Sequence, residues 1–166
     1  RYKTKGEDRM KEVELESKDI ASFVVKYCAK ANYFINLTKL QKLIFCCYGV
    51  ALADSELRIC REHPKAWDHG PVFPQVYKLT SKNRDGFVQQ LLEYPDRCKE
   101  LLPGSLIELL QKALHIFGKY NAGQLVAWTH RDGSPWDICK KNIGLYHSMD
   151  DDVIKDYFRE HVISKD

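Results

Sequence analysis

Residues 38–53 read TKLQKLIFCCYGVALA, and this stretch decides the fold of the chain. From Leu40 to Leu52 nearly every position is apolar or small, which is typical of a helix enclosed on most of its sides. Thr38 and Gln41 have the spacing of a capping box, in which two side chains bond the free backbone amides at a helix start. The sequence therefore predicts a central core helix that begins near Thr38.

Helical spacing of apolar residues continues on both sides of this segment. Ser105 and Glu108 have the spacing of a second capping box, and Ser134 before Pro135 is a further helix-start signal. The additional helices are predicted over about 18–31, 71–82, 86–94, 105–117, 123–128, from 134 and from 150.

The helical period stops between Glu56 and Asp68, where apolar and polar residues alternate. This alternation around a turn-like Glu62-His63-Pro64 predicts a short β-hairpin. The expected fold class is therefore mainly α: a compact single-domain bundle of seven to eight helices, with at most one small β-hairpin near residues 56–68.

Composition limits the function classes. The chain has 166 residues, of which 44% are apolar, and this is enough to build one core rather than a disordered linker. Its longest uncharged apolar run, Leu43 to Ala53, is about half of what a membrane-spanning helix needs. Residues 1–16 alternate bases and acids and are predicted to form a charged arm before a domain at 17–166.

The six cysteines do not indicate a disulfide framework or a zinc site. They include an adjacent pair in a helical stretch, and no two have the CxxC spacing that zinc sites commonly use. We expect reduced thiols that behave as small buried apolar groups, which favours a cytoplasmic location. No phosphate loop, dinucleotide fingerprint or nucleophile elbow is present, so no cofactor or metal is expected.

Two irregular stretches carry the candidate chemistry: residues 66–77, AWDHGPVFPQVY, and residues 128–136, WTHRDGSPW. One hypothesis brings His69 and His130 together with Asp68 or Asp132 as an enzymatic acid/base pair, with or without a cysteine nucleophile. A second assigns the tryptophans and prolines to packing and helix entry. A third makes the clustered Trp, Tyr, His and Arg side chains a surface for a protein partner.

Four lysines suggest a further hypothesis. Lys26 and Lys30 on the first predicted helix, with Lys39 and Lys42 on the second, could form the phosphate-contacting face of a helix-turn-helix. The alternative is a solvated amphipathic face, which is favoured because the second helix is too apolar to spare a face for a DNA groove, and the net charge of +3 is too small to indicate nucleic-acid binding by itself. Nucleic acid is therefore not the expected partner.

The pieces just quoted occur in an order and spacing that resemble the Panacea domain, also called the SocA-like antitoxin or phage-associated protein family. The resemblance spans roughly residues 20–160. The candidate partner-binding or family-motif positions are Lys39, Gln41, Lys42, Trp67, His69, Gly70, Pro71, Val72, Tyr77, Thr129, His130, Ser134, Pro135 and Trp136.

The resemblance implies a small helical protein without enzymatic activity. Members of the family are often encoded beside a toxin, which they neutralise, and the founding example delivers its toxin to a cytoplasmic protease. Relatives also occur in prophages and mobile elements. The expected function is therefore an antitoxin that binds a cognate toxin; the alternative is an anti-defence protein that uses the same domain to inhibit a host enzyme.

Overall fold

The structure is a computed structural model that describes residues 2–4 and 11–163. Most of these residues lie in helices. The helices are α1 (Ser17–Ala31), α2 (Leu37–Ser55), α3 (Pro74–Ser81), α4 (Phe87–Leu92), α5 (Arg97–Leu101), α6 (Gly104–Phe117), α7 (Ala122–Thr129), α8 (Pro135–Asn142) and α9 (Asp151–His161), and the strands are β1 (Tyr2–Thr4), β2 (Lys11–Val13), β3 (Leu57–Arg58), β4 (Lys65–Trp67) and β5 (Gly70–Val72). The mainly α class is confirmed. The structure adds one short helix that the sequence pattern had not indicated, α5.

Helix α2 is the centre of the fold, as its apolar sequence predicts. Every residue from Lys39 to Ala53 is buried, and α1, α3, α6, α7 and α9 pack around the helix. At Gly49 a Cβ would overlap the ring of Phe158, so the absence of a side chain lets α9 lie directly on α2. The predicted enclosure of this helix is confirmed.

The start of α2 differs from the prediction. Asn36, not Thr38, is the N-cap, and its side chain accepts a hydrogen bond from the Lys39 amide at 2.9 Å. Gln41 is thereby free to bond elsewhere in the fold. The predicted capping box at Ser105 was also wrong, because the N-cap is Pro103, two residues earlier, and α6 begins at Gly104.

The hairpin exists but lies a few residues later than predicted. Strands β4 and β5 pair antiparallel, with Trp67 opposite Gly70 and Lys65 opposite Val72. Pro71, interpreted as a helix start, lies in β5, and the helix begins at Pro74 instead. A proline with a fixed φ suits both settings, so its presence alone does not decide between them.

A second small sheet, not predicted from the sequence, joins the start of the chain to the core. Strand β2 pairs antiparallel with β1 and parallel with β3. Val13 and Leu15, near the end of the segment predicted as an arm, are fully buried. Residues 1 and 5–10 of that arm lie outside the described residues, so the division at residue 16 stays a prediction.

The six cysteines all lie in the described part of the chain and are free, buried thiols. Burial raises the pKa of Cys28 to about 11 and raises the pKa of Cys46, Cys47, Cys60 and Cys98 well above the usual range. These thiols are thus held protonated at neutral pH.

No helix in the described residues is long and apolar enough to cross a bilayer.

A buried polar cluster attaches the start of α9 to the core. The carboxylate of Asp151 accepts hydrogen bonds from Tyr48 Oη at 2.6 Å and from Arg58 Nε at 2.9 Å. His63 Nδ1 lies 3.6 Å from the same carboxylate. Desolvation raises the pKa of Asp151. Hydrogen bonds from His63 and Tyr48 and the nearby positive charges lower it, and because their combined effect is larger than that of desolvation, the net shift is downward.

The burial of α2 predicts a large cost for shortening one of its side chains. Ile44 is fully buried, so Ile44→Ala should lower the free energy of unfolding by about 2–5 kcal/mol. Ile116→Ala is the matched control, because Ile116 is 56% exposed, and it should change stability by less than about 0.5 kcal/mol. Urea denaturation measures both. Equal losses in the two variants would contradict the central position of α2.

The lowered pKa of Asp151 predicts a pH-dependent contribution to stability. Because the group binds protons less readily in the folded state, its contribution is full above the unfolded pKa of about 3.9 and is lost as pH falls through the folded value. At pH 7, Asp151→Asn should be less stable than the native protein by about 3 kcal/mol. That difference should shrink in urea titrations taken progressively below pH 4. A pH-independent difference would contradict this assignment.

Candidate partner-binding site

Three polar side chains of α2 hold three other parts of the chain. Gln41 makes two hydrogen bonds with the backbone of Phe73: its Oε1 accepts from the amide at 2.8 Å, and its Nε2 donates to the carbonyl at 3.2 Å. Lys39 Nζ donates to the Gly118 carbonyl at the end of α6 at 2.6 Å. Lys42 Nζ donates to the Pro71 carbonyl at 3.3 Å.

These three residues contribute almost nothing to the outer surface, so none of them can lie against the phosphate backbone of a nucleic acid. Lys39 and Gln41 are each 4% exposed, and Lys42 is 1% exposed. A helix-turn-helix face that uses Lys39 and Lys42 is therefore wrong for this structure. On the first helix, Lys26 is also engaged, because its Nζ donates to the Tyr94 carbonyl.

Gly70 is the residue at which the two candidate stretches meet. Its φ of +110° lies in a region that favours glycine, and a Cβ there would lie 2.7 Å from Thr129 Oγ1 and 2.8 Å from Lys42 Cε. Residues 66–77 and 128–136 therefore face each other across Gly70. A second link joins the same stretches, since Trp136 Nε1 donates to the Trp67 carbonyl at 2.7 Å.

The second stretch is itself fixed by buried hydrogen bonds. Ser134 is the N-cap of α8, accepting from the Asp137 amide at 3.1 Å, and its Oγ donates to the Thr129 carbonyl at 2.8 Å. Pro135 occupies the first turn of α8, as predicted. Ser134, Pro135 and Thr129 are all buried, so they position this stretch from within the fold.

The two histidines are close to each other but differ in environment. His130 stacks on Trp136 with ring centroids 3.7 Å apart and planes 9° apart, and its Nε2 is buried without a hydrogen-bond partner among the described residues. Desolvation and the positive charges of Lys42 and Lys140, with His69, lower the pKa of His130. His69 is exposed, and its neighbour Asp68 accepts a hydrogen bond from Tyr146 Oη at 2.9 Å.

A cavity of about 200 Å³ opens where these elements meet. Three aromatic side chains stand beside it: the Trp67 ring lies 5.1 Å from Tyr77 and 5.8 Å from Tyr146. Tyr77 is 40% exposed and Tyr146 is 54% exposed. The cavity is lined by Leu37, Thr38, Gln41, Lys42, Trp67, Asp68, His69, Val72, Tyr77, Arg84 and Tyr146.

Sequence reasoning missed two of the lining residues, Arg84 and Tyr146. Tyr146 comes from the irregular segment before α9, which returns to the hairpin and donates its amide to the Ala66 carbonyl at 2.6 Å. Its φ of 68° is a feature of tight turns. Neither residue belongs to a recognisable motif, so only the folded chain brings them to the cavity.

Among the described residues, no group of three or more His, Cys, Asp and Glu side chains is placed to hold a metal ion.

Comparisons with known proteins support the resemblance found in the sequence. The family described as "Antitoxin SocA-like, Panacea domain" matches residues 40–137. The curated protein "Antitoxin SocA" of Caulobacter vibrioides is 28% identical over 166 aligned residues, which cover 90% of this chain and 86% of that protein. No solved structure matches the chain.

The close approach at Gly70 predicts a strong and specific effect of substitution. Gly70→Ala combines an unfavourable φ with overlap against Lys42 and Thr129, so it should lower the free energy of unfolding by about 2–5 kcal/mol. Gly133→Ala is the control: its φ is +79°, but the space around it is open, and we expect a loss of about 1–2 kcal/mol. Urea denaturation of both variants checks this. Similar losses would mean that the contacts across Gly70 contribute nothing.

Proposed function

This chain belongs to the antitoxin SocA-like Panacea family, and we propose that it is an antitoxin that neutralises a toxin by binding it directly. The proposed contact surface is the aromatic rim, which we define as Trp67, Tyr77 and Tyr146 beside the cavity. The observation that supports this choice is the exposure of Tyr77 and Tyr146 on either side of the Trp67 ring, in a family named for its antitoxins.

The chemistry of the aromatic rim suits protein recognition. Tyr and Trp are enriched among the residues that dominate binding energy at interfaces, because each presents a large apolar area with few rotatable bonds. Arg84 and His69 line the same cavity and add polar groups beside the rim. A partner that covers these rings would remove apolar surface from water while retaining polar contacts around it.

The rim is ordered before any partner arrives. The Trp67 carbonyl is held by Trp136, the Ala66 carbonyl is held by the Tyr146 amide, and Gln41 fixes Phe73 at the start of the helix that carries Tyr77. Binding then requires less loss of side-chain and backbone freedom than binding through a mobile loop. The buried motif residues serve this surface by positioning it.

We propose that the protein has no enzymatic activity of its own and acts in the cytoplasm. Thiol groups whose pKa is raised by burial are poor nucleophiles, which argues against a cysteine-based reaction. The histidine that lines the cavity, His69, is exposed, and His130, the other half of the hypothetical acid/base pair, does not line the cavity and is stacked on Trp136. Six free thiols suit a reducing compartment.

The proposal is tested by co-expression with the product of the neighbouring reading frame. That product alone should arrest growth, and this protein should restore growth and bind it in a pull-down. Tyr77→Ala should weaken binding about 30-fold and abolish the rescue, since a central interface aromatic contributes roughly 2 kcal/mol or more. Circular dichroism checks that the variant is folded.

Tyr120→Ala is the matched control for Tyr77→Ala. Tyr120 is 44% exposed and also packs against another aromatic ring, that of Phe117, but it lies outside the cavity. This variant should rescue growth as the native protein does. A harmless neighbouring product, or a toxin that stays active with this protein present, would overturn the antitoxin proposal. Equal behaviour of the two tyrosine variants would overturn the aromatic rim as the contact surface.

The same experiment separates masking from delivery to a protease, the adaptor role that the family resemblance implies. Under masking, the toxin accumulates in a complex while growth is restored. Under delivery, the toxin level falls when this protein is present and recovers in a strain that lacks the protease. Immunoblots of the toxin over time distinguish the two outcomes.

A further inference from the structure

Lys42 is a buried cation at the wall of the cavity. It is 1% exposed, and within the described residues the hydrogen bond found for its Nζ is a 3.3 Å contact to the Pro71 carbonyl. An ammonium group has three donors, so this contact leaves two of them without a protein acceptor. Buried cations are normally paired, because removing a charge from water without compensation is costly.

The side chain of Lys42 is held in place by its surroundings. Gly70 leaves the space in which its Cε lies, and a Cβ at that position would also reach to within 3.5 Å of Nζ. Burial lowers the pKa of Lys42 to about 8, so the group is still mostly protonated at neutral pH. The cavity therefore has a fixed, under-solvated positive charge in its wall.

The other charged groups around the cavity reinforce this potential. Arg84 adds a permanent positive charge to the lining. Asp68 is the acidic residue of the lining, and its carboxylate is already engaged by Tyr146 Oη. The lining as a whole is thus complementary to an anion, with aromatic rings on its outer side.

The size of the cavity indicates what kind of anion fits. Its volume of about 200 Å³ lies below the roughly 300–1,000 Å³ of typical small-molecule sites, and it opens among the exposed aromatic residues of the rim. Both features suit one side chain of a protein surface better than a free metabolite. Among protein side chains, only Asp and Glu supply a carboxylate.

We propose that the cavity receives the carboxylate of an Asp or Glu side chain of the toxin, bound by Lys42 and supported by Arg84. This inference rests on the proposed function, because it names the partner group that the aromatic rim surrounds. The rim would supply most of the buried apolar area, and the Lys42 pair would select partners that present an acid at this point.

The first test uses a small probe and needs no toxin. N-acetylglutamate amide and its neutral isostere, N-acetylglutamine amide, are titrated into the purified protein at constant ionic strength, with the indole NMR signal of Trp67 as the readout. We expect a saturable shift with the glutamate probe and at least tenfold weaker binding of the glutamine probe. Equal responses to the two probes would overturn the proposal.

Variants identify the responsible charge. Lys42→Met should abolish the response to the glutamate probe, whereas Lys42→Arg, which keeps the charge, should retain part of it. Lys39→Met is the control, because it removes another buried lysine of α2, 4% exposed, that does not line the cavity, and it should leave the response unchanged. Should Lys42→Met fail to fold, the comparison of the two probes on the native protein still decides the question. A folded Lys42→Met variant that binds the glutamate probe normally would contradict the role of Lys42.

A second test uses the complex with the toxin found by co-expression. Each surface Asp and Glu of the toxin is changed to Asn or Gln, and binding is measured to native protein and to Lys42→Met. For one acid, the toxin variant should bind the native protein more weakly than the unchanged toxin does. The same toxin variant should lose little additional affinity when Lys42→Met replaces the native protein, which is the mark of a direct pair. Additive losses at every acid would overturn the inference while leaving neutralisation intact. Conversely, if the protein bound the glutamate probe selectively but neutralised no toxin, the proposed function would be overturned, while the assignment of an anion site at Lys42 would still hold.

Discussion

The structure depends on one constraint: a helix enclosed on nearly all sides carries three polar side chains whose hydrogen-bonding groups must be satisfied inside the core. Lys39 and Gln41 find backbone partners at Gly118 and Phe73, and Lys42 finds one acceptor, the Pro71 carbonyl. A backbone acceptor can be used only if its segment is brought to the helix. The polar groups of α2 therefore determine where the end of α6 and the β5–α3 junction lie.

The geometry of the cavity follows from the same constraint. Gln41 fixes the start of α3, which places Tyr77, and Lys42 holds the Pro71 carbonyl of the hairpin that carries Trp67. Gly70 then has no room for a side chain, because Lys42 and Thr129 approach it. The rings of the aromatic rim are consequently carried by segments that buried hydrogen bonds attach to α2, which explains how a cluster at the surface can be held in place.

Much of the fold was predictable because apolar periodicity reports burial directly. The enclosure of Leu40 to Leu52 and the Ser134-Pro135 helix start are examples, since each depends on neighbours along the chain. Gln41 shows the limit of such reasoning: its spacing from Thr38 fits a local capping box, but its partner is 32 residues away. Tyr146 reaches the cavity through a bond to Ala66, and no local pattern reports a contact over that separation.

The division between buried motif and exposed rim has a consequence for specificity. A change at Gln41 or Lys42 leaves backbone groups in the core without their partners, so it alters the scaffold and the surface together. Tyr77 is 40% exposed and Tyr146 is 54% exposed, so a change at either removes less buried contact than a change in the core and should cost less stability. The same scaffold can therefore present different rims at little loss of stability. Partner choice would then be set by the rim, and the charge of Lys42 beneath it would impose one fixed requirement on every partner.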